Sequence, residues 1–342
     1  MSTNRLRAML EEFNTLLADG AMGTMLFEAG LEFGDPPELW NVERSEAVNA
    51  IQCAYIHAGA QLILTNTFGG SRFRLRQHGL QERAHELNRA GAANLRAVID
   101  SAGSTALVAG DIGPSGEIMA PLGDLVFEDA VIAFAEQCGG LVAGGADLIW
   151  IETLSSVDEL DAAVRGVRQV DAEIPIVACM SFDTHGRTMM GVTPEDAIQQ
   201  MLEFDVFAGG GNCGSGITEM LQVIERMYAV APEAVLVAKS NAGVPELEDG
   251  KAVYRAGPEA MAEFALSARA RGARILGGCC GTRPEHIRAM ATALAAQPPP
   301  AEIKPAAIHV PDQVAERGRV GTGGKRRQRR RRRNKGEESG ES

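Results

Sequence analysis

Three of the six cysteines stand in sequence contexts that suit metal binding. Cys279 and Cys280 are adjacent within GGCCG, and Cys213 lies within GGGNCGSG. Adjacent cysteines rarely form a disulfide with each other, because the small ring that results strains the peptide bond between them. Both thiolates can bind one metal ion when the backbone turns between them, and the flanking glycines permit that turn. These residues therefore predict a thiolate-bound metal centre.

The other cysteines, Cys53, Cys138 and Cys179, lie within helical or strand patterns, and we interpret them as buried core residues. The first residues, MSTNRLRAMLEEFN, include acidic side chains where a signal peptide would have its apolar run. No stretch approaches the ~20 apolar residues needed to span a bilayer. We therefore expect a cytoplasmic protein with reduced thiols rather than a disulfide framework.

The elements that must position these thiols follow a repeating pattern of short apolar runs and amphipathic stretches. Eight runs rich in Val, Ile, Leu or Ala predict strands at 15–20, 61–66, 106–111, 147–153, 175–181, 206–213, 235–241 and 273–279. Helical patterns lie between them, for example at 45–60 and 257–272. A βα unit repeated eight times predicts an α/β fold of the (β/α)8 TIM-barrel type over residues 1–296.

A doubly wound open sheet is the alternative fold. It predicts a phosphate-binding loop early in the chain, and DGAMGT at 19–24 does follow a predicted strand. That segment lacks the G-x-G-x-x-G spacing of a dinucleotide-binding turn, so the barrel is preferred.

In a barrel the active site lies at the carboxyl ends of the strands. All eight predicted strands end in polar or thiol residues, and these are Asp19, Thr65-Asn66-Thr67, Asp111, Glu152-Thr153, Ser181, Asn212-Cys213, Asn241 and Cys279-Cys280. The sixth and eighth strands flank the seventh, so Cys213 can reach the same point as Cys279 and Cys280. Three thiolates with an open fourth position are typical of a catalytic zinc site rather than a closed structural one.

Several motifs resemble the homocysteine S-methyltransferase family, especially the homocysteine-binding barrel of cobalamin-dependent methionine synthase. They span residues 15 to about 294 and read DGAMGT (19–24), LTNTFGGSRFRL (64–75), GDIGPSGE (110–117), IET (151–153), SFDTHGRTMMG (181–191), GNCGSG (211–216), SNAGVP (240–245) and GGCCGTRPEHI (277–287). The resemblance implies a TIM-barrel methyltransferase that uses zinc to methylate homocysteine and produce methionine.

The resemblance also implies roles for individual residues. Cys213, Cys279 and Cys280 correspond to the zinc thiolates of the family, and Asn241 to an internal oxygen ligand that homocysteine displaces. Asp19 and Glu152, with backbone amides of the rim loops, correspond to contacts of the homocysteine amino and carboxylate groups. Zinc would supply a deprotonated sulfur at neutral pH, where a free thiol is mostly protonated.

The methyl donor is the open part of this interpretation. The betaine-using branch of the family holds a trimethylammonium group in an aromatic cage, as cation–π physics favours. Here Gly69 and Gly70 occupy the loop where that branch has a tyrosine, and Thr153 follows Glu152. We therefore expect a methylcobalamin-carrying partner protein, as in a split methionine synthase. Betaine and S-methylmethionine remain alternative donors.

Residues 297–342 form a Pro- and Gly-rich linker and a basic tail, for which we expect disorder. Residues 325–335 contain nine of the 33 Lys and Arg residues, although the whole chain has a net charge of -12. The non-enzymatic alternative is therefore an RNA- or partner-binding protein that acts through this tail on a barrel scaffold. No aromatic residues interleave the arginines, so we expect no specific nucleic-acid function.

Overall fold

All eight predicted strands form in a computed structural model, which describes residues 2–183, 185–248 and 251–299. The strands are β1 (Leu16–Leu17), β2 (Leu62–Leu64), β3 (Leu107–Ile112), β4 (Leu148–Leu154), β5 (Ile176–Met180), β6 (Ala208–Cys213), β7 (Leu236–Ser240) and β10 (Ala273–Gly278). Two short strands, β8 (Glu246–Glu248) and β9 (Lys251–Val253), form an antiparallel hairpin before β10. This hairpin was not predicted from the sequence.

The eight predicted strands form one sheet, in which they pair in parallel in the order β1-β10-β7-β6-β5-β4-β3-β2. A parallel bridge between Ala18 and Leu62 joins the first strand to the second and completes the ring. The predicted (β/α)8 barrel is therefore confirmed, and the alternative of an open, doubly wound sheet is wrong.

The described part of the chain has twelve α-helices, and those that come after β1 surround the ring. The twelve helices are α1 (Ser2–Phe13), α2 (Met22–Glu28), α3 (Trp40–Glu43), α4 (Ser45–Ala58), α5 (Arg72–Arg76), α6 (Ala84–Ser101), α7 (Phe127–Ala143), α8 (Val157–Val170), α9 (Pro194–Glu203), α10 (Ile217–Val230), α11 (Pro258–Ala270) and α12 (Pro284–Ala296), with 3-10 turns at Pro37–Leu39 and Gln81–Arg83. None of the described helices is long and apolar enough to cross a bilayer.

Alternate residues of each strand point into the barrel, as the pleat requires. On β3 and β4, for example, Leu107, Ala109, Leu148 and Trp150 belong to one buried apolar cluster inside the ring. The residues between them, such as Val108 and Ile149, belong to a second cluster between the sheet and the helices. The interior of the ring is thus a packed core up to the carboxyl ends of the strands.

Helix α1, at the amino-terminal end of the described chain, packs its apolar face against the cluster inside the ring. Leu6, Met9 and Leu10 lie on one face of α1 at helical spacing and are buried with the inward residues of the strands. No helix was predicted for this segment from the sequence. Of the linker and tail predicted for 297–342, residues 300–342 lie outside the described residues.

Candidate metal and substrate site

The three cysteines singled out from the sequence come together at the carboxyl ends of β6 and β10. Cys213 is the last residue of β6, and Cys279 and Cys280 directly follow β10. The Sγ atom of Cys213 lies 2.9 Å from that of Cys279 and 3.7 Å from that of Cys280. All three sulfurs lie within 4.8 Å of one another, which satisfies the main geometric condition for sharing one metal ion.

The other three cysteines lie away from this cluster. Cys53 is in α4 and Cys138 is in α7, both in the helical layer, whereas Cys179 is a buried inward residue of β5. Cys138 and Cys179 are fully buried among apolar side chains, and burial raises the pKa of both thiols. Both therefore stay neutral core residues, as expected, whereas Cys53 is only half-buried, so the prediction of a buried core residue is wrong for it.

The chain reaches the thiol cluster through an uncommon backbone conformation. Cys213 has a φ of 57°, in the left-handed region that residues other than glycine rarely adopt. Gly214 follows with a φ of 71°, and a Cβ there would lie 2.4 Å from the Phe182 carbonyl oxygen. Only glycine fits this second position, so the Cys-Gly pair turns the chain sharply and leaves the sulfur facing its two partners.

Two asparagines hold the thiol-bearing segments in place. Asn241 donates from Nδ2 to the Gly214 carbonyl at 2.9 Å and accepts from the Cys280 amide at Oδ1, 3.1 Å away. Asn212, fully buried, donates from Nδ2 to Cys279 Sγ at 3.8 Å. In this conformation the Asn241 amide ties the loops after β6 and β10 together, and its role as a fourth metal ligand stays a prediction.

The donor chemistry of the cluster suits a soft divalent cation. Hydrogen bonds from the Cys213 and Cys279 thiols lower the pKa of Cys280 to about 3. The same bonds, together with burial, raise the pKa of the Cys213 thiol, because its proton is shared between two sulfurs. On its own the cluster thus stabilises one thiolate, and three thiolates this close need a cation among them. Zinc prefers such ligands, and four tetrahedral ligands at ~2.3 Å place sulfurs roughly 3.8 Å apart.

Four charged side chains lie at the top of the barrel interior beside the thiols. Asp19, Asp111, Glu152 and Lys239 are each less than a tenth exposed. The Lys239 Nζ atom lies 3.5 Å from Asp19 Oδ1 and 3.5 Å from Glu152 Oε2. Asp19 and Glu152, the two predicted substrate contacts, are thereby brought together around one ammonium group.

Lys239 was not predicted as a site residue. On this strand the prediction named only Asn241, the polar residue at the carboxyl end. The signal was present in the segment VLVAKSN, where a lysine interrupts an apolar run two residues before Asn241. Residues two apart on a strand share a face. A lysine at that position of a strand with polar residues at its end has to point into the barrel, toward the rim site.

Burial dominates the electrostatics of the three carboxyl groups. Burial raises the pKa of Asp19 to about 6, against the opposing effects of Lys239 and of the Leu64 amide, which donates to Asp19 Oδ2 at 2.8 Å. Burial likewise raises the pKa of Asp111 and of Glu152. Among the described residues, Asp111 Oδ1 has no hydrogen-bond partner and can accept from a ligand, whereas Glu152 Oε2 is ion-paired with Lys239.

The polar residues at the end of β2 support the rim instead of supplying further charge. The Thr67 hydroxyl donates to the Asp111 carbonyl at 2.7 Å, and the Thr65 hydroxyl accepts from the Asp111 amide at 2.9 Å. Asn66 donates from Nδ2 to the Pro37 carbonyl at 2.7 Å. These bonds fix the backbone of β3 beneath Asp111 and the loop that begins the cavity mouth.

A cavity of about 550 Å³ joins the thiol cluster to the carboxyl groups. Its floor is formed by the four buried charged residues and one wall by the three cysteines. Phe33, Asp35, Glu38, Arg74 and His78 also line the cavity. This size is typical of pockets for small molecules. The arrangement can therefore hold a small amino-acid thiol with its sulfur at the cysteines and its ammonium group at the carboxylates.

Comparison with known proteins defines the class of this molecule. Residues 16–294 match the sequence model of the homocysteine S-methyltransferase family, which is most of the chain. The chain belongs to this family, and it is a methyltransferase built on a TIM barrel.

Individual relatives are consistent with that assignment. The methionine synthases of Mycobacterium tuberculosis and Mycobacterium leprae are 33% and 32% identical to this chain over 296 residues. Those alignments cover 82% of this chain and 24% of each relative, so the chain spans about a quarter of the length of the proteins it matches.

Solved structures with the same fold come from a homocysteine methyltransferase of Escherichia coli, MmuM. Its metallated form has a TM-score of 0.71 at 24% identity, covering 84% of this chain and 99% of that one. Its oxidized form has a TM-score of 0.67 at 26% identity over the same shares. These similarities support the barrel fold over nearly the full length of that enzyme.

Proposed function

We propose that this protein is a zinc-dependent homocysteine S-methyltransferase that produces methionine. The observation that carries the proposal is the convergence of three cysteine sulfurs on one wall of a cavity whose floor consists of buried carboxyl groups. A zwitterionic amino acid with a thiol side chain complements both parts, because a thiolate suits the metal and an ammonium group suits the carboxylates.

Each part of the site has a defined task in this proposal. Cys213, Cys279 and Cys280 would hold zinc, which supplies a deprotonated, nucleophilic substrate sulfur near pH 7. Asp19 and Glu152 receive the substrate ammonium group, and backbone amides of the rim loops receive its carboxylate. The bound sulfur is then held toward the cavity mouth, from which the methyl donor approaches. Transfer forms the S–CH₃ bond as the donor's bond to that methyl group breaks.

Asn241 completes the proposed metal site in the free enzyme. Its Oδ1 atom accepts from the amide of Cys280, one of the proposed ligands, so the side chain already lies beside the cluster. As the fourth ligand it would occupy the position that the substrate sulfur takes. Asn241→Ala should then leave a site that retains zinc less tightly before homocysteine is added.

A protein-bound methylcobalamin is the proposed methyl donor. Phe33 and Phe68 are the aromatic side chains among the described residues that line the cavity, and no Tyr or Trp lines it. Trp40 lies under Arg44 at 3.9 Å, and Trp150 is buried inside the barrel. Tyr254 contacts Cys280 beside the cavity, but the described cavity has no tryptophan or second tyrosine to complete a cage for a trimethylammonium group.

The surface around the mouth also suits a protein partner. The four most exposed large apolar side chains in the described part of the chain are Phe33 (98%), Met189 (81%), Leu122 (74%) and Val244 (60%). They lie on four different loops, which leave the carboxyl ends of β1, β5, β3 and β7 respectively. We propose that these side chains, which share the carboxyl-end face of the barrel, contact a protein partner.

The central test measures zinc content and methyl transfer in the same preparation. Reduced, freshly purified protein should contain one zinc per chain and convert homocysteine to methionine with methylcobalamin. Betaine and S-methylmethionine serve as parallel donors. Cys280→Ala should lose zinc and activity together, whereas Cys53→Ser should keep both. Protein that lacks zinc, or full activity in the Cys280→Ala variant, would refute the metal-dependent mechanism.

The partner proposal has a separate test at the mouth. Met189→Ser combined with Leu122→Ser should slow methyl transfer from a corrinoid protein but not from free methylcobalamin. Leu202→Ser, which removes an exposed apolar residue from α9, is the matched control. Equal rates in all variants with the protein-bound donor would exclude this surface as the docking site, and activity with betaine alone would exclude the corrinoid donor.

A further inference from the structure

Lys239 is a buried cation at the centre of the carboxyl cluster. Its side chain is 2% exposed, and its Nζ atom is 3.5 Å from both Asp19 Oδ1 and Glu152 Oε2. The ammonium group also lies 5.1 Å from the centre of the Trp150 ring. Lys239 on β7 therefore connects the end of β1 to β4 across the barrel interior.

The charges around Lys239 do not balance. Three carboxyl groups, from Asp19, Asp111 and Glu152, share one ammonium group, so the fully ionised cluster has a net charge of two negatives. Burial disfavours each negative charge, and Lys239 is the strongest influence that opposes burial on Glu152 and Asp19. Without this lysine, the carboxyl groups would take up protons and lose their attraction for a cation.

No other described group replaces this function. The Leu64 amide donates one hydrogen bond to Asp19 Oδ2. The Tyr55 hydroxyl donates to the carbonyl oxygens of Ala21 and Thr282 instead. Cys279 is negative when ionised and opposes ionisation of Glu152, and the Trp150 side chain favours that ionisation less strongly than Lys239 does.

We infer that Lys239 is a positioning residue for the amino group of homocysteine. It keeps the Asp19 and Glu152 carboxylates ionised and aimed at one point, where the substrate ammonium group supplies the missing positive charge. This inference rests on the proposed function, in which Asp19 and Glu152 contact that group.

An indirect role fits the geometry better than direct contact with the substrate carboxylate. The Lys239 ammonium group is covered and already has two anions at 3.5 Å. A third anion placed there would also face Asp111. The unpartnered Asp111 Oδ1 atom, by contrast, can accept an N–H bond from a substrate ammonium group.

The test compares two thiols that differ in the amino group alone. Homocysteine and 4-mercaptobutanoate share the thiol, the chain length and the carboxylate. Binding of each to zinc-loaded full-length protein is measured by calorimetry for wild type and Lys239→Met. Homocysteine should bind the variant on the order of ten- to a hundredfold more weakly, whereas 4-mercaptobutanoate should change by less than about threefold.

Two further variants guard against a general loss of structure. Lys239→Gln keeps a neutral donor between the carboxylates and should show the same selectivity if Lys239→Met fails to fold. Arg165→Met removes an exposed cation of α8 and should leave both affinities unchanged. In a double-mutant cycle, Glu152→Gln and Lys239→Gln should weaken homocysteine binding by less than the sum of the single effects.

The possible outcomes separate this inference from the proposed function. Equal weakening of both thiols in the Lys239 variants, or additive effects in the cycle, would overturn the positioning role. Wild-type protein that binds neither thiol would instead refute the proposed function itself. Unchanged zinc content and saturating turnover, with a higher KM for homocysteine, are the kinetic counterparts of the expected result.

Discussion

Replacing Asn212 with alanine should weaken the fold and distort the site, because Asn212 links the thiol cluster to the strand that carries Glu152. Its Oδ1 atom accepts from the Thr153 amide and its Nδ2 atom donates to Thr153 Oγ1, both at 2.8 Å. Thr153 has a φ of 65°, which a β-branched residue adopts only when its surroundings hold it there. Asn212 supplies much of that restraint.

The expected loss of stability follows from these contacts. Two neutral hydrogen bonds contribute about 1 kcal/mol each. Asn212 is fully buried, so deletion of its amide leaves a cavity that costs about 1 kcal/mol more. Thr153 is half-buried and its freed amide can bind water, which limits any further penalty. The free energy of unfolding should therefore fall by about 3 kcal/mol.

Urea unfolding of the zinc-free and zinc-loaded protein measures this change. Asn212→Asp is the matched control, because it keeps an acceptor for the Thr153 amide but loses the donor to Cys279 Sγ. It should be destabilised less than Asn212→Ala, because it keeps the hydrogen bond from the Thr153 amide. If Asn212→Ala unfolds within about 0.5 kcal/mol of wild type, the hydrogen bonds to Thr153 do not restrain this part of the barrel.

Three further results are expected. Burial raises the pKa of Asp19 to about 6, so its carboxylate becomes protonated as the pH falls through that value. The affinity for homocysteine, measured by calorimetry, should therefore decrease from pH 7 to pH 5. The affinity for 4-mercaptobutanoate, which has no amino group, should decrease less. Gly91→Ala should lower the free energy of unfolding by about 1–3 kcal/mol, because the new Cβ would lie 2.7 Å from Thr67 Cγ2. Gly139→Ala, at an uncrowded position of α7, should instead raise the free energy of unfolding by up to about 1 kcal/mol. A decrease at Gly139 equal to that of Gly91→Ala would contradict the explanation by packing. Chelation of zinc should lower the midpoint of thermal unfolding for wild type and for Cys53→Ser equally, and a chelator-insensitive midpoint would argue against the metal.

Much of the barrel could be predicted because its pattern is local. Each strand is a short apolar run with a polar residue at its carboxyl end, and parallel strands place those ends on one rim. The cysteine cluster followed from the same rule, since Cys213 and Cys279 end strands that flank a common neighbour. The hairpin of β8 and β9 gave no such signal: its strands are three residues each and contain Glu and Lys.

The order of the elements, the identity of the thiols and the polarity of the rim could be predicted, because periodicity and strand ends are properties of neighbouring residues. How the charges combine depends on the tertiary structure. Lys239 and Asp19 are 220 residues apart, and their contact depends on the closure of the ring, which places β1, β4 and β7 around one interior. Asn212 likewise gained its role from a left-handed Thr153 on a different strand. Such pairings depend on distances across the barrel, which no local pattern in the chain specifies.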